Sequence, residues 1–364
     1  MSIFLFISFL LLCFFLLAIL GKKNRLFCIS VLTTIFLTLA VYSAVRNDTV
    51  YITGETMGTT YRITLTVPVY KTLSREIKEN LLKKKIDAEL ARINALMSTY
   101  DPNSELSLLN KHQSYDPFPI SPETAKVLNL ALEIAQKTNG VYDPTVGPLV
   151  NLWRFGPEDR PEQVPSQEEI DSAKQLVGWE KIKLVEQSQN DSTTKLFSIV
   201  KSQPNIYIDL SSIAKGYGVD CVTDLLIQNG YRNFLVDIGG ELRSKGKNAA
   251  GNDWSIGINR PDLTDASLAK TVSLSGKAIA TSGDYLNYYE LDGKRYSHII
   301  DPQTGRPITH KTASVSVIDD SCMVADAWAT ALLALGAEKG KPLAKENSLN
   351  VTFIIRDNDE IIIE

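Results

Sequence analysis

Three polar segments in the C-terminal part of the chain hold residue types suited to phosphate chemistry: Asp209-Leu210-Ser211-Ser212-Ile213-Ala214-Lys215-Gly216, His298-Ile299-Ile300-Asp301-Pro302-Gln303-Thr304-Gly305 and Asp326-Ala327-Trp328-Ala329-Thr330. Asp326 and Thr330 stand four residues apart in a segment of helical pattern, so a carboxylate and a hydroxyl stack on one face. By itself Asp326 is explained as an acid favoured by the dipole near a helix start. Thr330 on the same face of an otherwise apolar helix shifts that balance, because two polar groups there need a shared partner, and a hard cation accepts oxygens from both. Magnesium fits better than zinc. The chain has three histidines and no Cys-x-x-Cys, an inadequate zinc ligand set.

Asp209 follows a strand-like Ile206-Tyr207-Ile208 run, and Ser211-Ser212 open a helix whose free amides would face an anion. Lys215, one turn in, reaches a phosphate or ribose on that reading; on the plainer one Asp209 or Ser211 caps the helix and Lys215 is solvated. The segment is not a Walker A loop. His298 precedes a sequence with type I turn chemistry and is a general base, a nucleotide contact or a hydrogen-bonded structural histidine. Asp237-Ile238-Gly239-Gly240-Glu241 reads as a turn or bulge between strands, weak evidence for a nucleotide. His112 and His310 have no supporting constellation.

The elements that must position these groups follow from periodicity. Tyr51 to Val67 is a strand, a Gly54-to-Thr59 loop and a strand. Ser74 to Met97 repeats apolar residues near a 3.6 period and predicts a surface helix. Ser121-Pro122 start a second helix that Gly140 ends. Ser166 and Glu169 form a capping box for a helix closed by Gly178. Ser211 to Gly230 is a helix weakened by Gly216 and Gly218, which suggest close packing or a nearby ligand. Short β-like runs occupy Phe234 to Ile238, Trp254 to Ile258, Thr271 to Leu274, Lys277 to Thr281, Tyr296 to Ile300 and Ala313 to Ile318. Cys322 to Leu335 is a buried helix stopped by Gly336, and Val351 to Ile355 with Ile361 to Ile363 form a final hairpin. Helices alternating with runs of strands, without regular βαβ spacing, predict an α+β fold.

Composition bounds the rest. Ile3 to Leu20 and Leu26 to Val45 are apolar runs without a charge, each long enough for a bilayer core of roughly 30 Å. They predict two transmembrane helices joined by the basic loop 21–25, which stays cytoplasmic, so that residues 1–47 anchor a domain of residues 48–364 outside the cytoplasmic membrane. A cleavable signal peptide competes with that reading, although the first run lacks a basic n-region. Cys221 and Cys322 read as free, buried thiols rather than a disulfide. A net charge of −4 without basic clusters argues against nucleic acid as a partner.

Taken in order, these motifs, together with Gly54-Glu55-Thr56-Met57-Gly58-Thr59, Met97-Ser98-Thr99-Tyr100-Asp101-Pro102-Asn103-Ser104-Glu105 and Gly140-Val141-Tyr142-Asp143-Pro144-Thr145-Val146-Gly147-Pro148-Leu149, resemble the ApbE family of FAD:protein FMN transferases over roughly Thr53 to Gly340. The resemblance implies an ApbE-like, T-fold-like arrangement of mixed α/β layers with antiparallel-rich sheets. It also implies a reaction in which FMN passes from FAD to a threonine of acceptor subunits of membrane redox complexes, through a phosphoester bond, with release of AMP. By that similarity Met57, Tyr100, Val141, Tyr142, Asp143, Asp209, Lys215 and His298 line the flavin nucleotide site. Asp326 and Thr330 hold magnesium, with a main-chain oxygen of Ser212, and His298, Lys215 and Asp326 are catalytic. Two spans in place of a lipidated cysteine depart from many relatives. Two rival readings of the same residues are a magnesium-dependent FAD pyrophosphatase, giving FMN and AMP, and a non-catalytic flavin-binding protein.

Overall fold

The computed structural model describes residues 47–68, 75–157, 163–188, 195–261, 267–285, 287–357 and 360–364, with residues 30, 33 and 34. Apart from those last three, the two apolar runs expected to span a membrane lie outside the described residues. Among the described residues no helix is long and apolar enough to cross one.

In chain order the elements are β1 (Asn47–Thr56), β2 (Thr59–Pro68), α1 (Arg75–Met97), α2 (Glu105–Lys111), β3 (Phe118–Ile120), α3 (Pro122–Lys137), α4 (Gly147–Leu152), α5 (Gln167–Lys174), a 3-10 turn (Trp179–Lys181), β4 (Ile182–Ser188), β5 (Lys195–Lys201) and α6 (Ser211–Gln228). They continue with β6 (Phe234–Ile238), β7 (Glu241–Lys245), β8 (Trp254–Asn259), β9 (Leu268–Leu274), β10 (Ala278–Gly283), β11 (Tyr288–Leu291), β12 (Lys294–Ser297), β13 (Ile300–Asp301), β14 (Arg306–Pro307), β15 (Thr312–Asp319), α7 (Cys322–Glu346), β16 (Asn350–Asp357) and β17 (Glu360–Ile363).

One antiparallel sheet, ordered β1-β2-β6-β7-β10-β15-β16-β17, organises the molecule. Side chains alternate across it as the pleat requires. Phe234, Val236 and Ile238 join the cores under α1, α6 and α7, while Leu235, Ile279 and Ile354 meet the separate β8–β9 hairpin on the other face. Beyond the helices, α3 packs on a three-stranded sheet, β3-β5-β4. The result is the mixed α/β layering that the sequence predicts.

α7 runs through the interior, lined by the buried residues Ala325, Ala327, Ala329 and Ala331. Its first turn is held by Asp220 of α6, whose carboxylate accepts from the Cys322 amide (3.0 Å), the Met323 amide (3.1 Å), the Ser321 hydroxyl and Arg243 (both 2.6 Å). That pairing satisfies helix-end amides which burial would otherwise leave bare. Four residues before Asp220, the two helices touch. A Cβ on Gly216 would lie 2.4 Å from the Cys322 carbonyl oxygen and 2.7 Å from the Asp326 Cβ, so only glycine permits this approach.

The structure departs from the sequence reading in places that have physical causes. Ile206 to Ile208 is not a ladder strand, because the Asn110 side chain takes both backbone groups of Ile208, each at 2.8 Å. The Tyr296-to-Ile300 run divides between β12, which ends at Ser297, and β13, which starts at Ile300; the His298 amide still bonds to the Asn287 carbonyl in register with the β11–β12 pair. Gly336 (φ 73°, ψ 164°) is non-helical and stops the first helical length of α7 as expected, but a second length follows it to Glu346. α5 stops at Lys174, and Gly178 instead precedes the 3-10 turn. α2, α4 and the β4–β5 pair are additional elements. Cys221 and Cys322 are free thiols.

Gly216→Ala should destabilise the protein by about 1–3 kcal/mol, the usual cost of forcing a methyl into a filled contact. The denaturant midpoint measures it, and an unchanged midpoint would mean that the helices separate at no cost.

Candidate active site

A cavity of about 450 Å³ opens between the large sheet, α6, α7 and the loops after α1 and α3. Met57, Tyr100, Val141, Tyr142, Asp143, Asp209, Ser212, Lys215, His298, Asp326 and Thr330 all line it. Residues drawn from six separate stretches of chain therefore converge on one place.

Each arrives by a local device. Met57 is at the tip of the β1–β2 hairpin, where Thr56 pairs with Thr59 and the two tip residues both have positive φ, 49° at Met57 and 70° at Gly58. Such a two-residue turn matches the twist of the strands, and glycine suits its second position; for methionine the conformation is a strained one. The Met57 thioether reaches Gly218 of α6, where a Cβ would lie 3.1 Å from the Met57 methyl. Tyr100 stands at the mouth, 69% exposed. Tyr142 is buried, accepts the Ser212 hydroxyl at 2.9 Å, and is held well above the ordinary phenol range by that burial.

Asp143 lines the cavity but spends its oxygens on the protein. Oδ1 accepts from the amide (2.8 Å) and hydroxyl (2.6 Å) of Thr145, and Oδ2 from the Trp179 amide (2.9 Å). Asp209 accepts the Ser211 amide at 2.8 Å and gives its own amide to the Pro144 carbonyl at 2.7 Å, which ties the start of α6 to the 143–145 turn. The N-cap position is Leu210 and carries no side-chain cap, so Asp209, one residue earlier, is not the N-cap considered from sequence but takes the first amide of the helix. Burial holds both carboxyls above their usual range.

The charged centre consists of Lys215, Asp326 and Glu241. Lys215 pairs with Glu241 Oε1. Burial works against its ammonium, yet Asp326 and Glu241 together raise it above the ordinary lysine range. Asp326 Oδ2 accepts the Gly216 amide at 2.9 Å. Burial raises Asp326, opposed by Lys215; burial and the nearness of Asp326 raise Glu241. Two buried carboxylates thus face one ammonium, and Glu241 Oε2 is buried with no hydrogen-bond partner. An enclosed negative charge of this kind calls for more positive charge. The donor set fits a hard divalent ion: carboxylate and hydroxyl oxygens, with Thr330 bonded only to Ser282 Oγ at 3.0 Å. Among the described residues no three His, Cys, Asp or Glu side chains converge as a ligand cluster.

His298 gives both its backbone amide (3.1 Å) and ring Nδ1 (2.8 Å) to one acceptor, the Asn287 carbonyl. A carbonyl only accepts, so Nδ1 carries the proton and Nε2 keeps its lone pair. Desolvation first, and the Lys215 charge after it, hold the imidazole below its ordinary range, so it is neutral at pH 7. The following turn is fixed by Gly305, whose amide bonds to the Asp301 carbonyl at 2.8 Å and whose carbonyl accepts the Trp153 indole at 2.8 Å.

The sequence reading passed over Glu241 and Ser282. Glu241 was in view only as the end of a Gly-Gly turn, and its conjunction with Lys215 is long-range; Ser282 gave no signal.

In chelator the buried excess charge has a measurable sign. A carboxyl raised in the folded state stabilises at low pH and loses that contribution as pH rises. Asp326→Asn should therefore be more stable than the parent, by a margin growing as pH rises from about 4 toward 7. Parallel thermal melts measure it, and a margin that is constant or reversed refutes an uncompensated carboxylate.

The model of the ApbE family matches residues 57–355. The chain is 44% identical over 312 residues to an FAD:protein FMN transferase of Vibrio cholerae, covering 86% of this chain and 89% of the relative. It is 42% identical over 306 residues to the FAD:protein FMN transferase of Escherichia coli K12, covering 84% of each. Among solved structures, the flavin transferase ApbE from Vibrio cholerae aligns with a TM-score of 0.76 at 41% identity, over 87% of this chain and 97% of that one. The apo form of Pseudomonas stutzeri flavinyl transferase ApbE gives 0.75 at 34% identity, over 88% and 95%. With its family motifs gathered around a single cavity and its fold shared along nearly the whole length of those structures, the chain belongs to the ApbE family.

Proposed function

We propose that this chain is an FAD:protein FMN transferase that joins the FMN portion of FAD to a threonine hydroxyl of an acceptor protein. The observation that carries the reading is the gathering of every flavin-, metal- and proton-handling residue named from sequence on one cavity, in a chain 44% identical to a transferase of that name.

The cavity residues have separable tasks. His298 Nε2, unprotonated at neutral pH, takes the proton of the acceptor hydroxyl as its oxygen attacks the FMN-side phosphorus. A phosphorus–oxygen bond forms, the bond to the AMP phosphate oxygen breaks, and AMP leaves with that electron pair. Lys215, kept charged by Asp326 and Glu241, stabilises the charge that develops on the phosphoryl oxygens. Met57 and Tyr100 border the space for the flavin, and Tyr142 with Ser212 closes the floor. Magnesium, held by Asp326, the Thr330 hydroxyl and a main-chain oxygen of Ser212, would supply Lewis-acid neutralisation of the diphosphate.

Acceptor subunits of membrane redox complexes are the proposed partners. Anchoring through residues 1–47, with the remainder outside the cytoplasmic membrane, rests on the two apolar runs and the basic loop between them.

Incubation with FAD, magnesium and a candidate acceptor domain should give a protein heavier by one FMN phosphoester; free FMN without that adduct would replace transfer by hydrolysis. Excess chelator and Asp326→Ala should each abolish the adduct, and full labelling in either would remove the metal from the reaction. With magnesium and FAD saturating, transfer should be flat near neutrality and fall only below about pH 6.5, because burial lowers the histidine. His298→Ala should lose about 100-fold or more in turnover and that pH dependence with it. A reporter active only outside the cytoplasm should work when fused after Arg46; the reverse pattern would overturn the topology.

A further inference from the structure

His298 is not carried by the large sheet. It follows the β11–β12 hairpin, a two-stranded unit with no ladder to any other strand among the described residues. The hairpin is therefore placed by side-chain packing, which includes Tyr289, Leu291 and Tyr296 in an apolar cluster with Leu149, Leu152 and Ile170, and two contacts bear on His298. One is an aromatic row: Trp153 stacks on Tyr296 (centroids 5.5 Å apart), Tyr296 on Tyr289 (5.2 Å), Tyr289 on Phe155 (5.5 Å), and Phe155 meets the His298 ring edge-on at 6.2 Å. The row fixes one side of the hairpin but is built of sliding faces.

The other contact is directional. Asp284, between β10 and the hairpin, receives both guanidinium nitrogens of Arg356 on β16, each at 2.8 Å, with its carboxylate only 13% exposed. Its amide donates to the Ala313 carbonyl of β15 at 3.0 Å. Its own carbonyl accepts Arg295 Nη2 from β12, and that guanidinium stands 3.8 Å from the carboxylate and 4.1 Å over the Tyr288 ring. Arg295 is three residues before His298, and Tyr288 is next to Asn287, whose carbonyl fixes the imidazole. Both strands of the hairpin are thereby referred through Asp284 to the sheet that also carries Ser282 and Glu241. A bidentate arginine–carboxylate pair, half-enclosed, resists rotation as well as separation.

We propose that Asp284, clamped by Arg356, is a positioning residue for the His298 base: it orients the hairpin through Arg295, so that Asn287 holds the histidine in one tautomer facing the cavity. This rests on the assignment of His298 as the base. Asp284 contacts no part of the reacting groups, and the role is one of aim.

The test is a mutant cycle on the full chain. Asp284→Asn and Arg356→Gln are each measured alone and with His298→Ala, reading acceptor labelling at saturating FAD and, separately, FAD affinity. Each single variant should lose about 10- to 100-fold in turnover, within what a general base supplies. FAD affinity should stay within about threefold of the parent, and neither variant should lose more when His298 is already alanine. An equal loss with and without His298, a loss confined to FAD affinity, or no loss overturns the inference while leaving the base in place. Parental labelling by His298→Ala would overturn the base assignment itself.

A second readout covers variants too slow or too unstable for the cycle. With three histidines in the chain, ring nitrogen NMR resolves His298 by its disappearance in His298→Ala. Arg356→Lys keeps the charge and gives up the fork; it should convert the single Nδ1-protonated form to a tautomer mixture. An unaltered tautomer together with unaltered turnover would refute the clamp.

Discussion

α6 and α7 meet backbone to backbone at Gly216, and the charged centre is a consequence of that contact. Without a side chain at 216, the Asp326 carboxylate lies directly over an amide that α6 presents, largely buried in the cavity wall. Lys215 is next in sequence, which places an ammonium beside the same carboxylate without any further folding device. Asp220, one turn later, grips the beginning of α7 and sets the register between the helices. Those residues of α6 thus fix the distance, the charge and the alignment of the partner helix. The large sheet beneath supplies Glu241, Ser282 and the anchor for His298, but the helix pair sets the charged wall of the cavity.

Low dielectric gives the arrangement its chemical force. Burial penalises the charged form of the Asp326 and Glu241 carboxyls, and the ammonium between them keeps its proton because it offsets their charge; the same desolvation keeps the imidazole neutral. Opposite protonation tasks are met a short distance apart, with His298 responding to burial and to Lys215, and Lys215 responding to its acids. A site of this type strengthens electrostatic contacts with a substrate that excludes water, and it costs stability while empty.

Much of the fold was legible because its signals are local. The β1–β2 pair, the capped helices, the alternating strands and the apolar segment around Asp326 each declare themselves within a dozen residues, although the ladder runs on to Thr56 and Thr59 and leaves only Met57-Gly58 of the expected Gly54-to-Thr59 loop as the turn. Within the candidate site, Asp326 and Thr330 stood out because they interrupt a segment that otherwise belongs in a core, whereas Met57, Tyr100, Val141, Tyr142 and Asp143 came only from the family resemblance. What escaped reading depends on contacts distant in sequence. Asn110 replaces a strand partner for Ile208 across 98 residues, so the local β pattern misleads. Glu241 acquires meaning only opposite Lys215, and Asp284 only opposite Arg356. Asp143 illustrates the converse, since its motif places it in the cavity wall while its hydrogen bonds assign it to holding that wall together.

The break at Gly336 divides α7 into two lengths with different obligations. Thr312 takes the amide of Ala337 at 2.8 Å, so the second length starts from its own anchor on β15 and does not inherit its direction from the first. Pro342 removes one further rung beyond the break. Asp326 and the distal length thus answer to different partners, Gly216 of α6 for the one and Thr312 of β15 for the other, while Ala337 and Ala344 keep both lengths in a single core.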